Sequence, residues 1–229
     1  MFIIARRIRD RELYNKIFAY LVLSFGLLGV GLQTGRSLLG SEPLAYTLIT
    51  HFYFTTQSNL LVVIMSLIYL FKQKRGPLFT SFAFITFVNI SMTGVIFHAL
   101  LTPYMGHVSF LNHVLHTITP ILYILFYFLV IQSHLKTSKF WISLIYPLIY
   151  LMLVYVVIEP IFGNLMERLF STFENPRYVY PFLDPASYES GVRGLLLFNL
   201  GILAPLIALF SLILCYLKSK FELKLSMKH

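Results

Sequence analysis

The chain has 229 residues, 58% of them hydrophobic and only 12% charged, and its mean hydropathy is +0.77. A soluble domain carries about 25% charge and about 45–50% apolar residues, so this composition excludes an ordinary water-soluble enzyme, a disordered tail and a coiled coil. The single cysteine, Cys215, excludes an intrachain disulfide and a multi-thiolate metal site, and the net charge of +9 must be read against membrane topology before it is taken as a nucleic-acid signal.

Uncharged runs cover residues 17–35, 43–71, 76–135, 140–158 and 194–217, and the longest is split by the turn signal Thr102-Pro103-Tyr104-Met105-Gly106. A helix needs about 20 apolar residues to cross the hydrocarbon core. The runs therefore predict an all-α polytopic membrane protein, one bundle over 1–229 of six transmembrane helices near 17–35, 50–71, 78–101, 109–132, 140–159 and 193–217. The first run is too long for a signal peptide, and Gln33-Thr34-Gly35-Arg36 lacks a small-x-small cleavage signal. The 22 Phe and 15 Tyr suit a lipid-facing surface with interfacial rings.

Six spans put both termini on one side. That side carries fourteen Lys and Arg against four on the other (Arg36, Arg168, Arg177 and Arg193), so the N and C termini are expected in the cytoplasm. The basic excess is then explained by a multi-pass place in the cell membrane and by contact with anionic lipid, with no nucleic acid. The long connection 160–192 falls on the outer face. It contains Glu159, Glu167, Glu174, Asp184 and Glu189 near or within it and the aromatic stretch Tyr178-Val179-Tyr180-Pro181-Phe182, and it is a candidate cap over the bundle.

Polar groups inside a membrane must find partners and are therefore functional candidates. Five of the seven histidines, His51, His98, His107, His113 and His116, fall in the outer half or the outer turn of this topology, which favours one outward-facing polar pocket. Span two places His51, Thr55, Ser58 and Asn59 on one helical face, with Thr56 about 100° away and adjacent to Asn59. Span four places Asn112, His116, Thr119 and Tyr123 on one stripe and His113 and Thr117 on the next. Pro120 there frees the His116 carbonyl from its helical bond.

A threonine hydroxyl beside an imidazole suggests a nucleophile and its base for acyl transfer. Asn59 or Asn112 would orient the pair or donate to the oxyanion, with His113 in support. His51, His98 and Tyr123 are the polar lining expected of the substrate pocket. The same hydroxyls and amides also read as packing glue between helices. Two other functions fit these residues: a transporter or lipid-binding pH sensor built on the outer histidines, and a metal-dependent membrane hydrolase using His98, His113 and His116. No carboxylate lies in their layer, so no metal and no cofactor is expected.

Three segments resemble the androgen-induced gene / androgen-dependent TFPI-regulating protein family. They are Phe54-Thr55-Thr56-Gln57-Ser58-Asn59-Leu60, then Leu111-Asn112-His113-Val114-Leu115-His116-Thr117 followed by Pro120, and Val179-Tyr180-Pro181-Phe182-Leu183-Asp184. They occur in the family's order. The resemblance implies a six-helix membrane threonine hydrolase that cleaves fatty acid esters of hydroxy fatty acids. Its nucleophile maps to Thr56 in register with Asn59 and Leu60, or to Thr55 with a slip of one, and its histidine to His116. Leu125 stands where the animal members carry an acidic residue, and the connection before Tyr180 is longer here. Short loops and basic ends point to a bacterial branch.

Overall fold

The computed structural model describes residues 2–72, 76–102, 106–133, 135–170 and 176–226, with the side chains of 2–10, 100–101 and 224–226 not described. The chain is all-helical, 86% helix, and no strand occurs among the described residues. In chain order come α1 (Phe2–Leu38), α2 (Pro43–Thr50), α3 (Phe54–Phe71), α4 (Pro77–Ile96), α5 (Phe110–His113), α6 (Thr119–Leu129), α7 (Ile145–Leu153), α8 (Gly163–Leu169), α9 (Val192–Phe198) and α10 (Ala204–Ser226). Continuous stretches of these give six helices long and apolar enough to cross a membrane: Arg11–Leu38, Phe54–Phe71, Pro77–Ala99, Phe110–Leu129, Thr137–Leu169 and Val192–Leu223. Pro103–Met105 of the expected turn lie outside the described residues. So do Lys74, Arg75, Lys228 and Glu174 and the side chains of Arg6, Arg7, Arg9 and Lys224.

Wide π-turns, three of five residues and one of nine, interrupt four of the long helices. They cover Phe97–Leu101, Val114–Ile118, Val154–Phe162 and Asn199–Leu203. Such turns are rare and often mark functional positions. Span two also differs from its expectation. α2 starts at Pro43, where proline's fixed φ suits the first helical position, and ends at Thr50. His51 Nδ1 donates to the Thr47 carbonyl at 2.7 Å and closes the helix, so His51 stands in a turn before α3 and does not share the helical face of Thr55.

The chain divides into two compact units. The first comprises Met1–Gln33 and Thr55–His134. Its core is aromatic and aliphatic, with Val22, Val62, Met65, Phe84, Phe87, Val114, Tyr123 and Phe126 fully buried. Phe87 and Tyr127 stack at 4.3 Å between centroids, and Tyr69 meets Phe126 edge-on at 5.0 Å. α1 comes close to its neighbours at two glycines: a Cβ at Gly26 would stand 2.9 Å from Val63, and one at Gly29 2.9 Å from Leu115.

The second unit comprises Thr34–Phe54 and Leu135–His229. Ile49, Tyr150, Val154, Ile158, Met166, Val179 and Leu183 form its core. Tyr150 donates to the Phe52 carbonyl at 2.9 Å, Tyr155 to the Leu183 carbonyl, and Ser143 to Ser211 at 2.7 Å. Trp141 lies exposed on the 3₁₀ turn Thr137–Leu144. The connection before α9 is fastened by charge. Arg168 forms a two-pronged pair with Glu42, at 2.8 and 2.7 Å. Arg177 bonds Glu159 at 2.8 Å, Glu167 at 3.1 Å and the Asn164 carbonyl oxygen at 2.7 Å. Bonding to Glu159 above all holds the Arg177 guanidinium even more firmly protonated than usual. Burial pushes the Tyr53 hydroxyl above its ordinary value, beneath the edge-on ring of Tyr180 at 5.9 Å.

Candidate functional site

The first unit gathers Thr55, Thr56, Asn59, Asn112, His113, His116, His98 and Tyr123. Local structure around His116 begins at Pro120. In the π-turn the Thr119 N–H bonds the Val114 carbonyl, five residues back, and therefore does not serve Leu115. The next amide would serve Leu115 in the same register, but it belongs to Pro120, which has no N–H. The Leu115 carbonyl is thus left without a helical donor, and the buried Asn59 carboxamide fills the place: Nδ2 donates to it at 3.1 Å, and to the Thr55 carbonyl at 2.9 Å. The freeing expected at the His116 carbonyl thus extends one residue upstream, because the turn is π and not α.

That bond ties the threonine-bearing turn of α3 to the histidine-bearing turn before α6. Thr56 lies one turn before Asn59 and is 2% exposed; Thr55 is half-buried. Thr56 and His116, both described, make no direct hydrogen bond. His116 lies flat on Phe97, with centroids 4.0 Å apart and planes 12° apart, and its Nδ1 is buried with no hydrogen-bond partner. α4 comes close to the same turn at Gly94, where a Cβ would stand 3.1 Å from the His116 carbonyl oxygen and 3.3 Å from Pro120. Only a residue without a side chain leaves that distance unstrained.

The other expected residues have definite partners. His98 Nε2 meets the Thr117 hydroxyl at 2.9 Å, and both lie toward the exposed end of the unit. Tyr123 is fully buried and donates to the Ala83 carbonyl at 3.3 Å. Ser109 caps α5 by accepting the Asn112 N–H at 3.2 Å; Asn112 is half-buried and His113 exposed. His51 belongs to the second unit, where its Nε2 lies 3.4 Å from the Thr34 hydroxyl. Among the described residues no three of His, Cys, Asp or Glu gather closely enough to hold a metal ion.

No family model, curated protein or solved structure matches the chain. The site is therefore read from its own geometry. Sequence reasoning did not single out Phe97 or Gly94, the two residues that hold the His116 turn from the α4 side.

Proposed function

We propose that this chain is a multi-pass cell-membrane protein with cytoplasmic termini that hydrolyses acyl esters of amphiphilic lipids through a threonine nucleophile. The observation that carries the reading is the Asn59–Leu115 bond, which links the Thr56 turn to the His116 turn across two helices. Both Asn59 Nδ2 hydrogens are committed to backbone carbonyls, so Asn59 acts as the orienting residue of this pair. The His116 Nδ1, buried and without a hydrogen-bond partner, is the atom that would take the proton. Six apolar helices and the fourteen-to-four basic bias support the membrane topology.

In the reaction, Thr56 Oγ1 (or Thr55 Oγ1) attacks the ester carbonyl carbon while His116 takes its proton, and the alcohol leaves with that proton. Water then attacks the acyl-threonine, His116 again accepts a proton, and the fatty acid departs as the threonine hydroxyl is restored. Thr56 and His116 are not hydrogen-bonded in the resting chain, so the mechanism requires that bond to form when substrate binds, as catalytic bonds often do only in the complex. The substrate class, fatty acid esters of hydroxy fatty acids, rests on the three segments that resemble the androgen-induced gene family. The test is a fluorophosphonate probe on the purified protein. Labelling is expected in the wild type and lost in one of Thr56→Ala and Thr55→Ala; labelling that survives both substitutions overturns the assignment.

A further inference from the structure

A hydroxyl on a buried helix has a local remedy, a bond to the carbonyl four residues back. In the first unit Ser66, Thr86, Ser91 and Thr93 take it, at 2.8, 3.0, 2.6 and 3.1 Å. Thr119 does not. The carbonyl four residues before it, Leu115, accepts from the Asn59 carboxamide instead. The Thr119 hydroxyl is left fully buried with no hydrogen-bond partner. Asn59 Oδ1, His116 Nδ1 and both polar atoms of the Asn89 carboxamide share that condition. Asn59, Asn89 and Thr119 are each 0% exposed.

The elements that carry these atoms are tied together. α4 and α6 are pinned together at two places, by Tyr123 on the Ala83 carbonyl and by Gly94 against His116 and Pro120. Asn89 lies between those pins on α4, and Thr119 lies at the second pin on α6. Asn59 reaches the same turn through Leu115, the residue before His116. Buried polar groups are seldom left unpaired, because the desolvation penalty is then not repaid.

We propose that Asn59, Asn89, His116 and Thr119 line an internal hydration site that holds ordered water against the His116 Nδ1. Asn89 offers two donors and two acceptor positions, Thr119 one donor and an acceptor, and Asn59 an acceptor. A buried water makes about three such bonds, and the set offers the donors and acceptors that one needs. The site goes beyond the hydrolase reading, since its ligand is water and its lining owes nothing to Thr56.

X-ray hydroxyl-radical footprinting of the purified full-length protein tests it, because radiolysis of bound water oxidises the side chains beside it. His116, Pro120 and Tyr123 should be labelled several-fold above Phe84, which is equally buried in the same unit. In Thr119→Val and in Asn89→Leu that labelling should fall towards the Phe84 level. Background labelling in the wild type, or labelling unchanged in both variants, overturns the proposal. Thermal melting gives a second readout. A dry, orphaned hydroxyl would make Thr119→Val more stable than the wild type, whereas a hydrated one makes it less stable. Neither readout involves ester turnover, so a failed nucleophile assignment leaves this result standing.

Discussion

Replacing Asn59 with leucine tests the link between the two functional turns. The change removes the cross-helix bond to the Leu115 carbonyl and the local bond to the Thr55 carbonyl. Losing the second is nearly free, because the Thr55 carbonyl lies in regular helix. Leu115 has no alternative backbone donor, since the Thr119 N–H serves Val114 and Pro120 has no N–H; the Thr119 hydroxyl, four residues on, is its one local side-chain substitute. A buried carbonyl stripped of its partner costs about 1–3 kcal/mol, while side-chain bonds between membrane helices average about 0.6 kcal/mol and reach about 1.7. Leucine also deletes Oδ1, which offsets part of the loss. The net expectation is about 1 kcal/mol, or a fall of about 2–4 °C in the melting midpoint for a chain of this size. Circular dichroism in micelles measures it. The decisive control is Pro120→Ala, which returns an N–H positioned for Leu115. In that background Asn59→Leu should cost little, so the two changes should couple by about 0.5 kcal/mol or more. An equal cost in both backgrounds, or a midpoint that does not fall in either, refutes the derivation of the Asn59 bond from the π-turn.

Two further substitutions follow from the packing. Gly94→Ala should destabilise by about 1–3 kcal/mol, because its Cβ would stand 3.1 Å from the His116 carbonyl oxygen and 3.3 Å from Pro120 and both must give way. Gly31→Ala, with open space around it, should be neutral or slightly stabilising through helix propensity; thermal melts of the pair separate contact from propensity. Arg177→Gln should speed amide hydrogen exchange across residues 176–190 by roughly three- to fivefold, since it removes the bonds to Glu159 and Glu167 at once. Arg168→Gln, which touches only Glu42, should leave that segment unchanged.

The six long helices were legible because charge is scarce and falls at their ends. Lys16, Arg36, Lys72, Lys136 and Lys218 mark where apolar runs stop; helices end or begin near Arg36, Lys72 and Lys136, whereas α1 and α10 continue past Lys16 and Lys218. What composition did not mark was hydrogen-bond register. An α-turn and a π-turn draw on the same apolar residues, so a stripe counted from Asn112 to Tyr123 in steps of three and four crosses the π-turn at Val114–Ile118 and loses its phase. The break at His51 was hidden for a related reason: a histidine that caps one helix and a histidine that opens the next look alike in an uncharged run. Within the site, Asn59 and His116 stood out as polar residues in apolar surroundings. Their link did not, because the acceptor is the Leu115 backbone, which exists as an acceptor only through the joint effect of Thr119 and Pro120.

The division into two units carries a practical consequence for anyone who follows unfolding by light. Trp141, the sole tryptophan, sits in the second unit, on an exposed 3₁₀ turn. Its emission reports that half of the chain directly and is silent about the half that contains Thr56 and His116. A dichroism trace, which sums every helix, should be recorded beside it; curves that part company would mean that the two halves let go at different temperatures.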